Sequence, residues 1–345
     1  MRPSRWTERS DRQRATGRGG LDRPAPISRR AALALPFLAT AARAQAAWPE
    51  RPVRFVVPFP PGSISDAVAR LVADKLLPVL GQRVVVENRG GAAGNIGTAY
   101  VAHEAADGYT FVIASSGTHG SNPPLYRNVG YDPVKDFAPV IGMIRVPNVL
   151  VVRNALPVHS VAEFIAYARA QDGKLTYGSI GNGSSQHLAG TQFEQVADVH
   201  MTHVPYRAVP PLLLDMQSDR LDASFQLVPN VIEQVKGGLI RALAVTVNHR
   251  VPALAQVPTM AEAGLQGYET AGWFGLLAPA ATPAPIIQRL HQACAAILAA
   301  PEMQARLASL GTEPMPLGPE EFAAFIASEL PRWAEIVRRS GAVVD

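Results

Sequence analysis

Hydrophobic positions along the chain alternate between two rhythms. Short apolar runs, Val53-Arg-Phe-Val-Val57, Arg83-Val-Val-Val-Glu87 and Tyr109-Thr-Phe-Val-Ile-Ala114, read as strands. The first is followed by Pro58-Phe59-Pro60-Pro61-Gly62 and a helical stripe of Ile64, Val68, Leu71, Val72 and Leu76. Ser63 and Asp66 stand where an N-cap and its N3 partner belong, with Asp in place of Glu. The second run leads through a glycine-rich turn, Asn88 to Gly94, into a helix from Asn95 to Ala105. The third leads into Ser115-Ser-Gly-Thr-His-Gly120. Strand, loop and helix in this order, with continuous apolar strands, predict an α/β fold with a mostly parallel sheet.

A second tier begins near Val146. Asn148-Val-Leu-Val-Val152 reads as a strand, and after Pro157 a helix is opened by Ser160 with Glu163 three later. The design returns at Trp273-Phe-Gly-Leu-Leu277, where Thr282-Pro283 opens a helix through Ile286, Ile287, Leu290 and Ile297. Two such units bracketing a long segment predict two crossings between lobes. Lobe 1 is then discontinuous, residues 47–147 and 272–345, and lobe 2 spans 148–271. Paired crossings make a hinge, and the cleft between the lobes is the expected ligand site. The tail from Glu320 to Val337 places Phe322, Phe325, Ile326, Trp333 and Val337 on one helical face, with a bend or break expected at Pro331.

Composition fits a packed protein, with 48% apolar and 17% charged residues. The formal charge of +4 is misleading, because ten of the 32 basic residues and three of the 28 acidic ones fall in residues 1–47. The remainder is slightly acidic and offers no footing for a nucleic acid. Residues 1–46 read as an export signal with an N-terminal extension: Ser28-Arg29-Arg30, an apolar run from Ala31 to Ala42, then the small-x-small site Ala44-Gln45-Ala46. That run is too short and alanine-rich to span a bilayer. Its paired arginines suit a twin-arginine or an ordinary secretory signal. Cys294, the single cysteine, sits in an alanine-rich helical pattern and reads as a small core residue.

Three loops share one design, a strand end, small polar residues and a helix start: Pro60 to Asp66, Ser115 to Asn122, and Ser179 to His187. Unpaired N–H groups and the positive helix end make such loops anion sites. None contains Lys or Arg, so an anion would be held by neutral donors and released quickly. Other chemistry fits poorly. The glycines at 90, 91, 94 and 97 do not match G-x-G-x-x-G, and a structural turn is the simpler reading. Gly181-Asn-Gly-Ser184 is not a nucleophile elbow, because position 186 is Gln. His200 and His203 lack metal-ligand spacing. No catalytic residue, metal or cofactor is expected.

With these motifs the mature chain resembles the substrate-binding component of tripartite tricarboxylate transporters, the Bug family of periplasmic receptors. The landmarks are Val57-Pro-Phe-Pro-Pro-Gly62 with Asp66, Val86-Glu-Asn-Arg89, Gly94-Asn-Ile-Gly97, Ala106-Asp-Gly-Tyr-Thr110 and Tyr131-Asp-Pro-Val-Lys-Asp-Phe-Ala-Pro139. Val146-Pro-Asn-Val-Leu150, Gly181-Asn-Gly-Ser184 with His187-Leu188, His203-Val-Pro-Tyr206, Arg241-Ala-Leu-Ala-Val245 and Val257-Pro-Thr259 follow. The resemblance implies a type II periplasmic-binding-protein fold, a small organic carboxylate as ligand, and membrane transporter subunits as partners of a monomeric periplasmic receptor. Carried over by position, it implies ligand contacts from Phe59, Gly62, Ser63 and Asp66, from Ser116, Gly117, Thr118 and His119, and from Ser179, Asn182, Gly183, Ser184 and His187. Three departures lie near the expected cleft: Ser63 where glycine is usual, Tyr206-Arg207-Ala208 where Tyr-Lys-Gly is common, and Gln226 where many relatives have an acid. Tyr206, Ala208 and Gln226 therefore join the candidate site, and a dicarboxylate, hydroxy acid or aromatic acid is favoured over an amino acid. The alternatives are an exported hydrolase-like α/β enzyme and a ligand-sensing partner of a membrane histidine kinase.

Overall fold

The computed structural model describes residues 48–182 and 184–340; the leader with its cleavage site, Gly183 and residues 341–345 lie outside the described residues. The first elements are β1 (Val53–Val57), α1 (Ile64–Leu80), β2 (Val84–Asn88), α2 (Asn95–Ala102), β3 (Thr110–Ser115), α3 (Asn122–Leu125) and β4 (Phe137–Arg153). Next come α4 (Val161–Gln171), β5 (Thr176–Ser179), α5 (Ser185–Ala197), β6 (Thr202–Pro205), α6 (Val209–Gln217), β7 (Ala223–Leu227), α7 (Val228–Lys236) and β8 (Ile240–Val245). The chain closes with β9 (Ala271–Pro279), α8 (Ala284–Ala299), α9 (Pro301–Ser309), β10 (Glu313–Pro314) and α10 (Pro319–Ser340). Among the described residues no helix is long and apolar enough to cross a membrane.

The strand order is β2-β1-β3-β9-β4-β7-β5-β6, with β8 and β10 also on β4. The triplet β2-β1-β3 on one flank is matched by β6-β5-β7 on the other. In each, helix-linked strands pair in parallel around a middle strand. Between the flanks, β4 and β9 run antiparallel to each other and to their neighbours. The sheet is therefore mixed, which corrects the expectation of a mostly parallel one.

The strand expected from Asn148 begins much earlier. β4 pairs with β9 from Phe137 through Pro147, with β7 from Asn148 and with β8 from Val149, so one strand serves both halves. Pro139, Gly142 and Pro147 read as breakers in the sequence. The ladder accommodates the first two with register shifts at Pro139/Ile141 and Gly142/Ile144. Gly142 is required there, because a Cβ would lie 2.8 Å from the Met315 carbonyl oxygen.

Each half buries its own cores. Phe55, Phe111, Leu76 and Leu290 pack on one face of the first half, and Val56, Val112, Trp273 and Phe322 on the other. In the second half Tyr177, Phe193 and Phe225 line one face and Val149, Leu212 and Val231 the other. A small cluster joins elements of both: Leu125 after β3, Leu188 on α5, and Trp333, Ile336 and Val337 on α10. Helix α10 runs unbroken through Pro331, so the break expected there does not occur. The lost hydrogen bond is offset by anchors on either side. The buried Glu329 carboxylate accepts from Trp273 Nε1 at 3.1 Å, Trp333 Nε1 at 2.8 Å and Arg332 at 2.8 Å. Cys294 is fully buried in α8, and burial pushes its thiol up to about 12.

Candidate ligand-binding site

In both flanks the chain leaves the middle strand for the edge and returns on the inner side. The strand order thus reverses between β1 and β3 and again between β5 and β7, and ligands of open α/β sheets bind beyond the carboxyl ends of such strands. The loops after β1, β3 and β5 are the three that carry the small polar residues.

The first loop is built around Asp66. Ser63 caps α1, its Oγ accepting from Asp66 N at 3.3 Å. The Asp66 carboxylate accepts from Gly62 N at 2.9 Å, Asn88 Nδ2 at 2.9 Å and Arg70 at 2.9 Å. Asn88 also donates to the Phe59 carbonyl at 3.1 Å, so one acid fixes both ends of the loop. Burial pushes this carboxyl up, but hydrogen bonds from Arg70, Gly62 and Asn88 outweigh it and hold it below the usual range. Asp66 thus positions the loop; its oxygens are already engaged. Gly62 adopts φ +79° at the exposed tip. Ile64 and Ser65, the first two residues of α1, keep N–H groups that have no acceptor within the helix.

The glycine-rich turn is a packing device. A Cβ on Gly94 would lie 2.8 Å from Thr118 Cγ2 and 3.3 Å from Phe59 Cζ, and one on Gly97 would lie 2.4 Å from the Arg89 carbonyl oxygen. Loops one and two therefore meet over Gly94. The Phe59 ring also lies edge-on to Phe274, centroids 6.2 Å apart.

The second loop divides its residues. Ser116 donates its N–H to the Trp273 carbonyl at 3.1 Å. A Cβ on Gly272 would touch both Leu227 at 3.4 Å and Ser116 Oγ at 3.7 Å, which places Ser116 at the crossing between the halves. Gly117 opens a single π-turn, Gly117–Ser121, that directs the next two side chains inward. Thr118 and His119 are fully buried. The His119 Nδ1 bonds Thr118 Oγ1 at 3.0 Å, and its ring packs edge-on against Phe137 at 4.8 Å. Both side chains thus pack within the first half.

In the third loop Ser184 caps α5, accepting from His187 N at 3.3 Å and donating to the Gly181 carbonyl at 2.8 Å. Ser179 Oγ meets His203 Nε2 at 2.7 Å, and the His203 ring stacks on His187 with centroids 4.1 Å apart. Asn182 is exposed, and Gly183 lies outside the described residues. Tyr206 is joined to this loop by its N–H on the Ser179 carbonyl at 2.8 Å, but its hydroxyl is committed to Asp215 at 2.9 Å. Ala208 precedes α6 at φ −159°, extended backbone open to any residue. Gln226 is fully buried in β7, donates to Ser224 Oγ at 2.9 Å and accepts from Asn230 at 3.2 Å, so its amide ties β7 to the start of α7. Two residues beyond the expected set stand out, Gln186 and Asn148, both buried. Each lies inside a motif already conspicuous in the sequence, but nothing there separates them from their neighbours. Among the described residues no group of three or more His, Cys, Asp or Glu could hold a metal ion.

Burial lowers the imidazole of His119 to about 3 and those of His187 and His203 to about 4, His187 adding to the effect on His203. The unfolded chain takes up these protons first, near the ordinary value of about 6.5. The stability of the neutral rings is therefore complete above that value and is lost as pH falls toward about 4. The melting temperature is expected to drop steadily between about pH 7 and pH 5; a flat profile over that interval would contradict the assignment.

A family model described as a tripartite tricarboxylate transporter family receptor matches residues 68–342. The solved structure of Rpa4515 from R. palustris with adipate is 42% identical at a TM-score of 0.79, covering 86% of this chain and 99% of that one. The structure of the periplasmic binding protein BugD is 36% identical at 0.75, covering 86% and 99%. MatC from Rhodopseudomonas palustris, with bound malate, is 32% identical at 0.74, covering 84% and 100%.

Proposed function

The chain belongs to the tripartite tricarboxylate transporter receptor family, and from that premise we propose that it captures a small organic carboxylate between two lobes and passes it to membrane transporter subunits. Lobe 1 comprises residues 47–147 and 272–345 and lobe 2 residues 148–271, hinged where β4 and β9 cross. The observation that carries this reading is the pair of serine-capped helix starts at matching switch points, Ser63 on α1 and Ser184 on α5. Both offer backbone N–H groups at a positive helix end without a Lys or Arg in the loop, which suits reversible capture of a carboxylate. Phe59, Gly62 and Ser63, then Ser116, and Ser179, Asn182, Ser184 and His187 supply the contacts, while Asp66 positions the first loop. Gly183 belongs with the third loop, and Tyr206 and Ala208 flank it. The solved structures of Rpa4515 with adipate and of MatC with bound malate support the ligand class. The periplasmic binding protein BugD supports the compartment, reached by cleavage of the leader before Ala47. The receptor acts as a monomer and performs no chemistry on its ligand.

A ligand that binds only the folded state stabilises it by about 2.7 kcal/mol at a hundredfold excess over Kd. A melting shift of about 5–10 °C is expected with the right carboxylate. A broad panel of mono-, di- and tricarboxylates that moves the transition by less than about 1–2 °C would count against the reading. Capture of membrane subunits by ligand-loaded receptor would separate transport from sensing by a histidine kinase.

A further inference from the structure

The core face that carries Tyr177, Phe193 and Phe225 ends, on the side of the third loop, in two polar side chains with unmet bonds. Gln186 is the second residue of α5 and extends the buried stripe of Ala189 and Phe193 toward the helix start. It is 1% exposed. Ser185 Oγ donates to its Oε1 at 3.1 Å, which holds the amide at the first turn, and its Nε2 has no partner among the described residues. Asn148, fully buried, is the first residue of β4 to pair with β7, opposite Leu227. Alternation along β4 places it on the same face as Leu150 and Val152, members of that core. Its Nδ2 donates to the Phe225 carbonyl at 3.0 Å, which fixes the amide's orientation and leaves Oδ1 unpaired among the described residues.

Helix and strand geometry bring the two to one level. The Phe193 ring lies 5.2 Å from that of Phe225. Gln186 lies two helical turns, about 10 Å, nearer the third loop than Phe193. Leu227, opposite Asn148, lies about 7 Å beyond Phe225 in the same direction. A buried donor and a buried acceptor, both unpaired, oppose folding until a molecule supplies both partners. A plain carboxylate offers acceptors only. A carboxylate beside a hydroxyl offers both.

We infer that Gln186 and Asn148 read a hydroxy acid, Gln186 donating to its carboxylate and Asn148 Oδ1 accepting from its hydroxyl. This rests on the carboxylate-receptor reading and adds the class of acid. An ammonium could replace the hydroxyl as donor, but it would be buried without a counter-charge. Asp66 is engaged by Gly62, Asn88 and Arg70, Asp215 by Tyr206, and Asp222 by Arg153 and Thr176.

Calorimetric titration of malate against succinate, and of 2-hydroxyglutarate against glutarate, tests the inference. The hydroxy acid of each pair is expected to bind about tenfold tighter or more, and both more tightly than aspartate or glutamate. Gln186→Met should weaken every acid by about tenfold while leaving the ligand-free melting temperature unchanged or higher, because it removes a buried unpaired amide. A purely structural glutamine would lower it. Asn148→Leu should erase the hydroxyl preference; if that variant does not fold, the wild-type ratios and Gln186→Met decide. Equal affinity for the plain dicarboxylates, or tighter binding of the amino acids, overturns this inference and leaves the receptor reading standing. No affinity for any of these or other carboxylates overturns both.

Discussion

Asp66→Ala is expected to lower the melting temperature by about 5–10 °C and to bring carboxylate capture below detection. The alanine leaves Gly62 N and Asn88 Nδ2 without their shared acceptor, and Asn88 in turn holds the Phe59 carbonyl. Losing a buried carboxylate with several donors costs about 2–3 kcal/mol. The cost falls on the loop that presents the start of α1, so affinity suffers more than fold. Asp66→Asn keeps one acceptor and should be intermediate in both respects. The pH response adds a check. Because the folded carboxyl is held below its ordinary range, its stabilisation is complete above that range and disappears as pH falls through the folded value. The alanine variant should lack that acid limb. Unchanged affinity in Asp66→Ala would show that the first loop does not hold the ligand.

Glu329→Ala should be the more damaging to the fold. One carboxylate satisfies the indoles of Trp273 and Trp333, both about as buried as side chains become, and pairs with Arg332. Removing it strands two buried indole N–H groups and leaves Arg332 only the Glu269 carbonyl, a loss of about 3–5 kcal/mol and a melting shift of about 10 °C. The loss propagates, since Trp333 packs with Leu125 and Leu188, which follow the second and third loops. Glu329→Gln retains an acceptor and should recover much of the difference. Chemical denaturation of the three proteins side by side measures this directly, and an alanine variant as stable as wild type would show that the indoles find other partners.

The helix starts were readable from sequence because their signals are local. Ser63 with Asp66 and Ser160 with Glu163 bond as spacing alone predicts, and Glu163 returns a bond to His159 N. The first half of β4 was hidden, because proline and glycine usually end a strand and only the partners β9 and the Met315–Leu317 segment make them tolerable here. The inward turn of Thr118 and His119 was equally invisible, since an irregular loop aims its side chains by tertiary contact, here Phe137 and Tyr131. The burial of Gln226 is a related case. Its neighbours Ser224 and Asn230 convert a polar residue at a strand end into an internal tie.

The wiring of β9 sets a timetable for synthesis. Strand β3 is complete at Ser115, yet the neighbour that covers its inner side, β9, begins only at Ala271. At ordinary elongation rates the intervening chain takes on the order of ten seconds to emerge. Throughout that interval the nascent first half presents the open edge of β3, a row of unpaired backbone groups of the kind that recruits foreign strands. The chain therefore cannot mature from its N-terminus in stages. Its first half stays unfinished until β9 has left the ribosome.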